Sequence, residues 1–180
     1  EERYGLKGFF QVTDQRSRGD ELIGDFDTYL ISTKLELTTG DTTWKLGASR
    51  TDDELGIQKP FGNPANYLSI IVEDFDRAGE DAWMVGLSHK FGRIGHGDLS
   101  GFATIVSGDT PDSGANASAD QSEYDLTVDY RIREGRAENL WLRVRGAWVD
   151  QDDDFPGAND FFDFRIIANY EFDLLRRREP

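Results

Sequence analysis

The sequence predicts an all-β fold, an antiparallel up-and-down transmembrane β-barrel, on three observations. Apolar and charged residues alternate at every second position, the alternating segments are long, and short turns alternate with long polar connections. The alternation is plainest near the end of the chain. Phe162, Phe164, Ile166, Ala168, Tyr170 and Phe172 are interleaved with Asp163, Arg165, Asn169, Glu171 and Asp173, with Ile167 the one exception. A period of two is that of a strand, whose side chains point alternately to opposite faces. One face is then aromatic and aliphatic and the other ionic, so the two faces need different surroundings.

About nine strands can be read, each of about ten to thirteen residues, near 3–14, 26–39, 42–52, 66–76, 81–92, 97–108, 122–134, 138–150 and 161–174. Turn-rich segments separate them. In 122–134 the apolar set is Tyr124, Leu126, Val128, Tyr130 and Ile132, set against Glu123, Asp125, Thr127, Asp129, Arg131 and Arg133. In 138–150, Leu140, Leu142, Val144, Gly146 and Trp148 alternate with Trp141, Arg143 and Arg145. Ordinary strands run to about five or six residues, whereas a tilted strand crossing a bilayer needs about nine to eleven. The lengths therefore favour lipid on the apolar face and a water-filled lumen on the charged one. The alternative is a soluble β-barrel or sandwich with the apolar face inward, binding a small apolar ligand.

Connections in the second half alternate in length. The turns at 93–97 and 134–138 are tight, while 109–121 and 151–160 are long and rich in Asp, Gly, Ser, Asn and Pro. Short turns at one end and long loops at the other are the habit of outer-membrane barrels. The long connection from Thr51 to Asn66 breaks that parity if 66–76 counts as a strand. Trp44, Trp83, Trp148, Tyr170 and Phe172 fall near strand ends, as an interfacial aromatic girdle would place them.

Composition narrows the classes. The chain has 180 residues, a formal net charge of -15 and no cysteine, with a mean hydropathy of -0.60. That length fits a single barrel domain over 1–180, or a fragment of one. No apolar run approaches the roughly 18 residues of a membrane helix, but a barrel strand needs only alternate apolar residues. Disulfides and thiolate metal sites are excluded, and the acidity argues against nucleic acid. His89 and His96 are the two histidines. Neither lies in a nucleophile, metal-protease or phosphate-loop motif, so no enzyme, catalytic residue, metal or cofactor is expected. The oxygen-rich run of Asp150, Asp152, Asp153, Asp154, Asn159 and Asp160 lacks the spacing of a calcium loop.

Four blocks carry a family resemblance: YLSIIVEDFDRAGEDAWMVGLSHKFG at 67–92, SEYDLTVDYRIREG at 122–135, NLWLRVRGAWV at 139–149 and FDFRIIANYEFDL at 162–174. In order and spacing they resemble the C-terminal part of the OprD-like family of bacterial outer-membrane porins. The resemblance implies a monomeric or weakly trimeric barrel with about twice the strands read here, passing small carboxylate-bearing solutes. It also implies a lipid bilayer and lipopolysaccharide as surroundings. The chain departs from the pattern in its shorter length, its acidity and its ending on Arg176, Arg177, Arg178, Glu179 and Pro180. A fragment, or a half that needs a partner, is therefore expected.

The candidate solute path is a set of arginines on the ionic register: Arg131 and Arg133, Arg143 and Arg145, and Arg165. Residues two apart on a strand share a face about 7 Å apart, and neighbouring strands lie about 4.8 Å apart, so these guanidiniums form a staircase. A planar, permanently charged fork suits carboxylates. The resemblance supplies Arg143, Arg145 and Arg165, whereas Arg131 and Arg133 come from register alone. Glu123, Asp125, Asp129 and Asp163 are available to neutralise them across strands. Lys34, Lys45 and Lys90 occupy further inward positions. A wall carrying both signs would set up a transverse field that orients small anions and zwitterions.

Overall fold

The computed structural model describes residues 4–20, 24–60, 62 and 64–172. They form eight strands: β1 (Tyr4–Arg16), β2 (Asp27–Thr39), β3 (Thr42–Thr51), β4 (Asp81–Ile94), β5 (Gly97–Asp109), β6 (Gln121–Ile132), β7 (Leu140–Gln151) and β8 (Phe161–Tyr170). Each pairs antiparallel with the next in one sheet of order β1 to β8. Among the described residues β1 and β8 are the two edges and do not pair with each other. Unpaired edges are not tolerated in lipid.

One expected strand is absent. Residues 66–76 are not strand but part of a long connection between β3 and β4. Leu68 and Ile70 of this stretch pack a segment onto the sheet rather than joining its ladder. Leu68 and Phe75 are fully buried against Ala82 and Met84 of β4 and Val106 of β5, with Tyr67 and Ile70 packed alongside. With eight strands the parity is restored. The connections after β1, β3, β5 and β7 are the long ones, and those after β2, β4 and β6 are the short ones.

The face assignment follows from exposure. Leu126, Phe162 and Ile166 are 59%, 61% and 71% exposed, whereas Glu123 and Thr127, on the opposite register, are 0% exposed. The soluble reading requires the reverse. The apolar stripe points outward, and among the described residues the apolar core cluster lies between the inner wall and the inward connection. Burying Leu68 and Phe75 stabilises that arrangement by about 1.5–3 kcal/mol each. Trp83 and Trp148 stand outward at the long-loop end, and Trp44 and Tyr170 outward at the short-turn end, near the two water boundaries.

Glycines let the inward connection lie close to the wall. A Cβ on Gly47 of β3 would sit 3.0 Å from Met84 and 3.1 Å from Leu68, and one on Gly108 of β5 would sit 2.1 Å from Glu80 and 3.0 Å from Phe75. Phe75 itself has a φ of 50°, a left-handed conformation costly for an aromatic residue. Its complete burial holds it there.

Candidate functional site

The inward connection spans the sheet from β1 to β6. At its start Gln15 of β1 donates to the carbonyl of Gln58 and accepts from that residue's N–H, each at 2.8 Å. Gln11 donates to the Ala65 carbonyl at 2.9 Å. Asn66 is a hub: its Oδ1 accepts from Ser32 Oγ of β2 at 2.8 Å, and its Nδ2 donates to Ser49 Oγ of β3 at 3.1 Å and to the Phe75 carbonyl. Lys59 closes the base of the connection, 2.6 Å from Asp74 and 2.9 Å from Asp76. Burial opposes its charge, but the two carboxylates hold the Lys59 ammonium above its ordinary pKa. Burial also works against Asp74, yet hydrogen bonds from Lys59 and Ser69 keep its carboxyl below the usual range. Asp76 is more deeply enclosed, and burial outweighs Lys59 and pushes it up.

At its far end the connection meets two carboxylates of β6. The N–H groups of Val72 and Glu73 donate to the two oxygens of Glu123, at 2.9 and 2.7 Å. The N–H of Ile71 donates to Asp125 Oδ2 at 3.3 Å. Glu123 is fully buried and Asp125 nearly so. Neither acid forms a salt bridge with an arginine among the described residues, the role their sequence positions suggested. They accept main-chain amides.

The arginines fall into two groups. Arg143 makes a bidentate pair with Asp129, at 2.7 and 2.8 Å, and stacks on Trp141 at 4.5 Å. Arg131 pairs with Glu171 at 3.1 Å, Arg133, one residue beyond β6, pairs with Asp98 at 2.7 Å, and Arg165 pairs with Asp163 at 2.7 Å. Arg145, on the same inner register as Arg143 and directly opposite Arg165, forms no salt bridge among the described residues. Its buried Nε has no hydrogen-bond partner there. Of the five arginines, Arg145 is thus the one without a salt bridge among the described residues.

Arg145 faces a cleft of about 310 Å³ under the inward connection, shared with Lys34, Lys45, Asp125, Tyr67 and Ser69. Lys34 is partly neutralised by Glu36 at 3.0 Å and lies over the rings of Phe9 and Tyr67. Lys45 forms no salt bridge among the described residues. Arg131, Arg133 and Lys90 line a second cleft, of about 560 Å³, toward the short-turn end, together with Asp98, Asp129 and Trp141. A third, of about 570 Å³ at the long-loop end, is acidic, lined by Asp81, Asp109, Asp120, Asp150 and Asp152. In the acidic run, Asp152 accepts from the N–H of Asp154 and Asp160 from that of Gln151, both at 3.0 Å, which is turn chemistry. His89 bonds Thr42, and His96 lies 3.3 Å from Glu134 in a turn.

Sequence reasoning missed the amide-binding role of Glu123 and Asp125 and the whole inward segment. The inner-face glycines Gly47 and Gly108 were its available signal, since a wall position without a side chain invites close approach.

The pattern of an outward apolar sheet, alternating connection lengths and an inward-folded segment can be compared with known proteins. The family model described as outer membrane porin, OprD family, matches residues 1–174. The chain belongs to the OprD family. Its members are proteins of the bacterial outer membrane. Porin D of Pseudomonas aeruginosa is 25% identical over 196 residues, which is 87% of this chain and 44% of that protein. The crystal structure of Pseudomonas aeruginosa OpdK with vanillate superposes with a TM-score of 0.83 at 20% identity, over 93% of this chain and 44% of OpdK. The Pseudomonas aeruginosa OprD structure gives 0.81 at 19% identity, over 95% of this chain and 50% of OprD. The fold is therefore that of an OprD-family barrel wall, and the chain spans less than half the length of the curated relative it matches.

Proposed function

We propose that this chain supplies part of the wall and the constriction of an outer-membrane channel for passive diffusion of small carboxylate-bearing or other small polar solutes. The observation that supports this reading is Arg145, a guanidinium without a salt bridge among the described residues, facing a cleft beneath the inward segment that Lys45 also lines. An anion entering there gains attraction in a setting drier than bulk water, where charge interactions are stronger. Asp125 on the same cleft and the acid-paired arginines along β6 to β8 keep the attraction modest. Modest attraction is what conduction requires, because a solute bound tightly would block the pore. Arg143, Arg131, Arg133 and Arg165 extend the path as donors of lower net charge. No catalytic step is part of this function. Assembly as a monomer or weak trimer, in contact with lipopolysaccharide, belongs to the same proposal.

The test is the reversal potential of single channels in asymmetric salt. Arg145→Ala should shift selectivity toward cations severalfold, while Arg143→Ala, whose charge Asp129 already offsets, should shift it much less. Equal shifts, or none from Arg145→Ala, would sink the assignment.

A further inference from the structure

We propose that Glu123 is a positioning residue: it holds the inward segment against the wall and thereby sets the width of the passage beside Arg145. The inference rests on the channel reading above but is carried by its own geometry. Glu123 lies on β6 between Val106 of β5 and Val149 of β7, its register partners, and all three are 0% exposed. A carboxylate between two buried valines is costly unless its oxygens are satisfied. Here the satisfying groups are two successive amides, Val72 N–H on one oxygen and Glu73 N–H on the other. Both oxygens of a carboxyl group can accept, so two successive amides suit it.

The arrangement reaches the cleft directly. Ile70 and Ile71, immediately before these amides, line the cleft opposite Arg145. The Ile71 N–H is held by Asp125, whose Oδ1 has no hydrogen-bond partner among the described residues. The two acids are therefore not equivalent. Glutamine at 123 would keep one acceptor and turn an NH2 group toward an N–H, breaking half of the clamp. Asparagine at 125 can keep its accepting oxygen toward Ile71 and place its NH2 where Oδ1 now stands unpaired. Glu123 acts through the segment it pins, whereas Asp125 acts on the cleft by its charge.

The experiment compares wild type, Glu123→Gln and Asp125→Asn by hydrogen exchange of residues 68–76 in detergent micelles, with bilayer recordings on the same preparations. In wild type, the amides of residues 71–73 should be protected. Glu123→Gln should speed their exchange about tenfold or more while β-sheet circular dichroism is retained, and should give larger, noisier single-channel currents. Asp125→Asn should leave exchange within about twofold and shift selectivity toward anions. Fast exchange at Val72 and Glu73 in the wild type, which needs no variant to fold, would overturn the proposal, as would a Glu123→Gln protein that exchanges like wild type. Silent bilayers with Glu123-dependent exchange would leave this role standing and remove the channel reading. Steady currents with Glu123-independent exchange would do the reverse.

Discussion

Along β6 the two halves of one strand put the same chemistry to different use. Toward the short-turn end Asp129 takes the guanidinium of Arg143 from the neighbouring strand in a bidentate pair. Toward the long-loop end Glu123 and Asp125 take backbone amides of the inward segment instead. Register sets part of the difference, since Arg143 stands directly opposite Asp129 whereas Arg145 stands opposite Thr127 and Asp125 opposite Ala147. Where the segment lies down, its amides occupy the remaining acids of this half, Glu123 and Asp125. Register and segment thus act together in leaving Arg145 without a salt bridge.

That contrast can be broken from the segment's side. Phe75→Ala removes the largest side chain that anchors it, a change that costs about 3–5 kcal/mol at a buried aromatic site. The segment should come away from the wall, becoming open to protease near residues 64–76. Glu123 or Asp125 would then be free to pair with Arg145, so conductance should rise while anion preference falls. A larger conductance with unchanged selectivity would show that the acids do not turn to Arg145. Gly108→Ala should act in the same direction more weakly, about 1–3 kcal/mol, because its new Cβ presses on Glu80 and Phe75. Protease sensitivity intermediate between wild type and Phe75→Ala is the expected reading.

How much of this was legible in the sequence depends on who the partners are. Strands β1 to β3 and β4 to β8 were read within a few residues, because period two, strand length and turn residues are properties of the chain itself. The girdle tryptophans were legible for the same reason. The segment at 66–76 was misread, since Leu68, Ile70 and Val72 alternate as a strand would and nothing local says they pack onto another element. Inner-register arginines could be found by counting, but the freedom of Arg145 depends on distances across strands. The role of Glu123 was hidden more deeply. Its partners are main-chain amides, which every residue but proline carries, and so they leave no mark in the sequence.

The smallest expected effect concerns the base of the segment, and it sharpens the comparison by separating pH from the β6 acids. Asp74, held below its ordinary value, contributes stability above a pH of about 3.8 that is lost as the pH falls through its folded value. Asp76, held above its own, acts in the opposite sense at higher pH, where stability rises as the pH falls from its raised value toward about 3.8. The raised Lys59 contributes at every pH below about 10.5 and fades only above that. Protection of the segment from protease should therefore weaken modestly below about pH 4. Asp74→Asn should remove that acid step.

One further consequence lies in the reach of the connection between β3 and β4. It is tied to β1 through Gln11 and Gln15 and to β6 through Glu123 and Asp125, so it runs like a chord across an arc. A chord of fixed length limits how far its arc can flatten. The same residues that hold the segment over the cleft therefore also set a radius for the six strands from β1 to β6 at once.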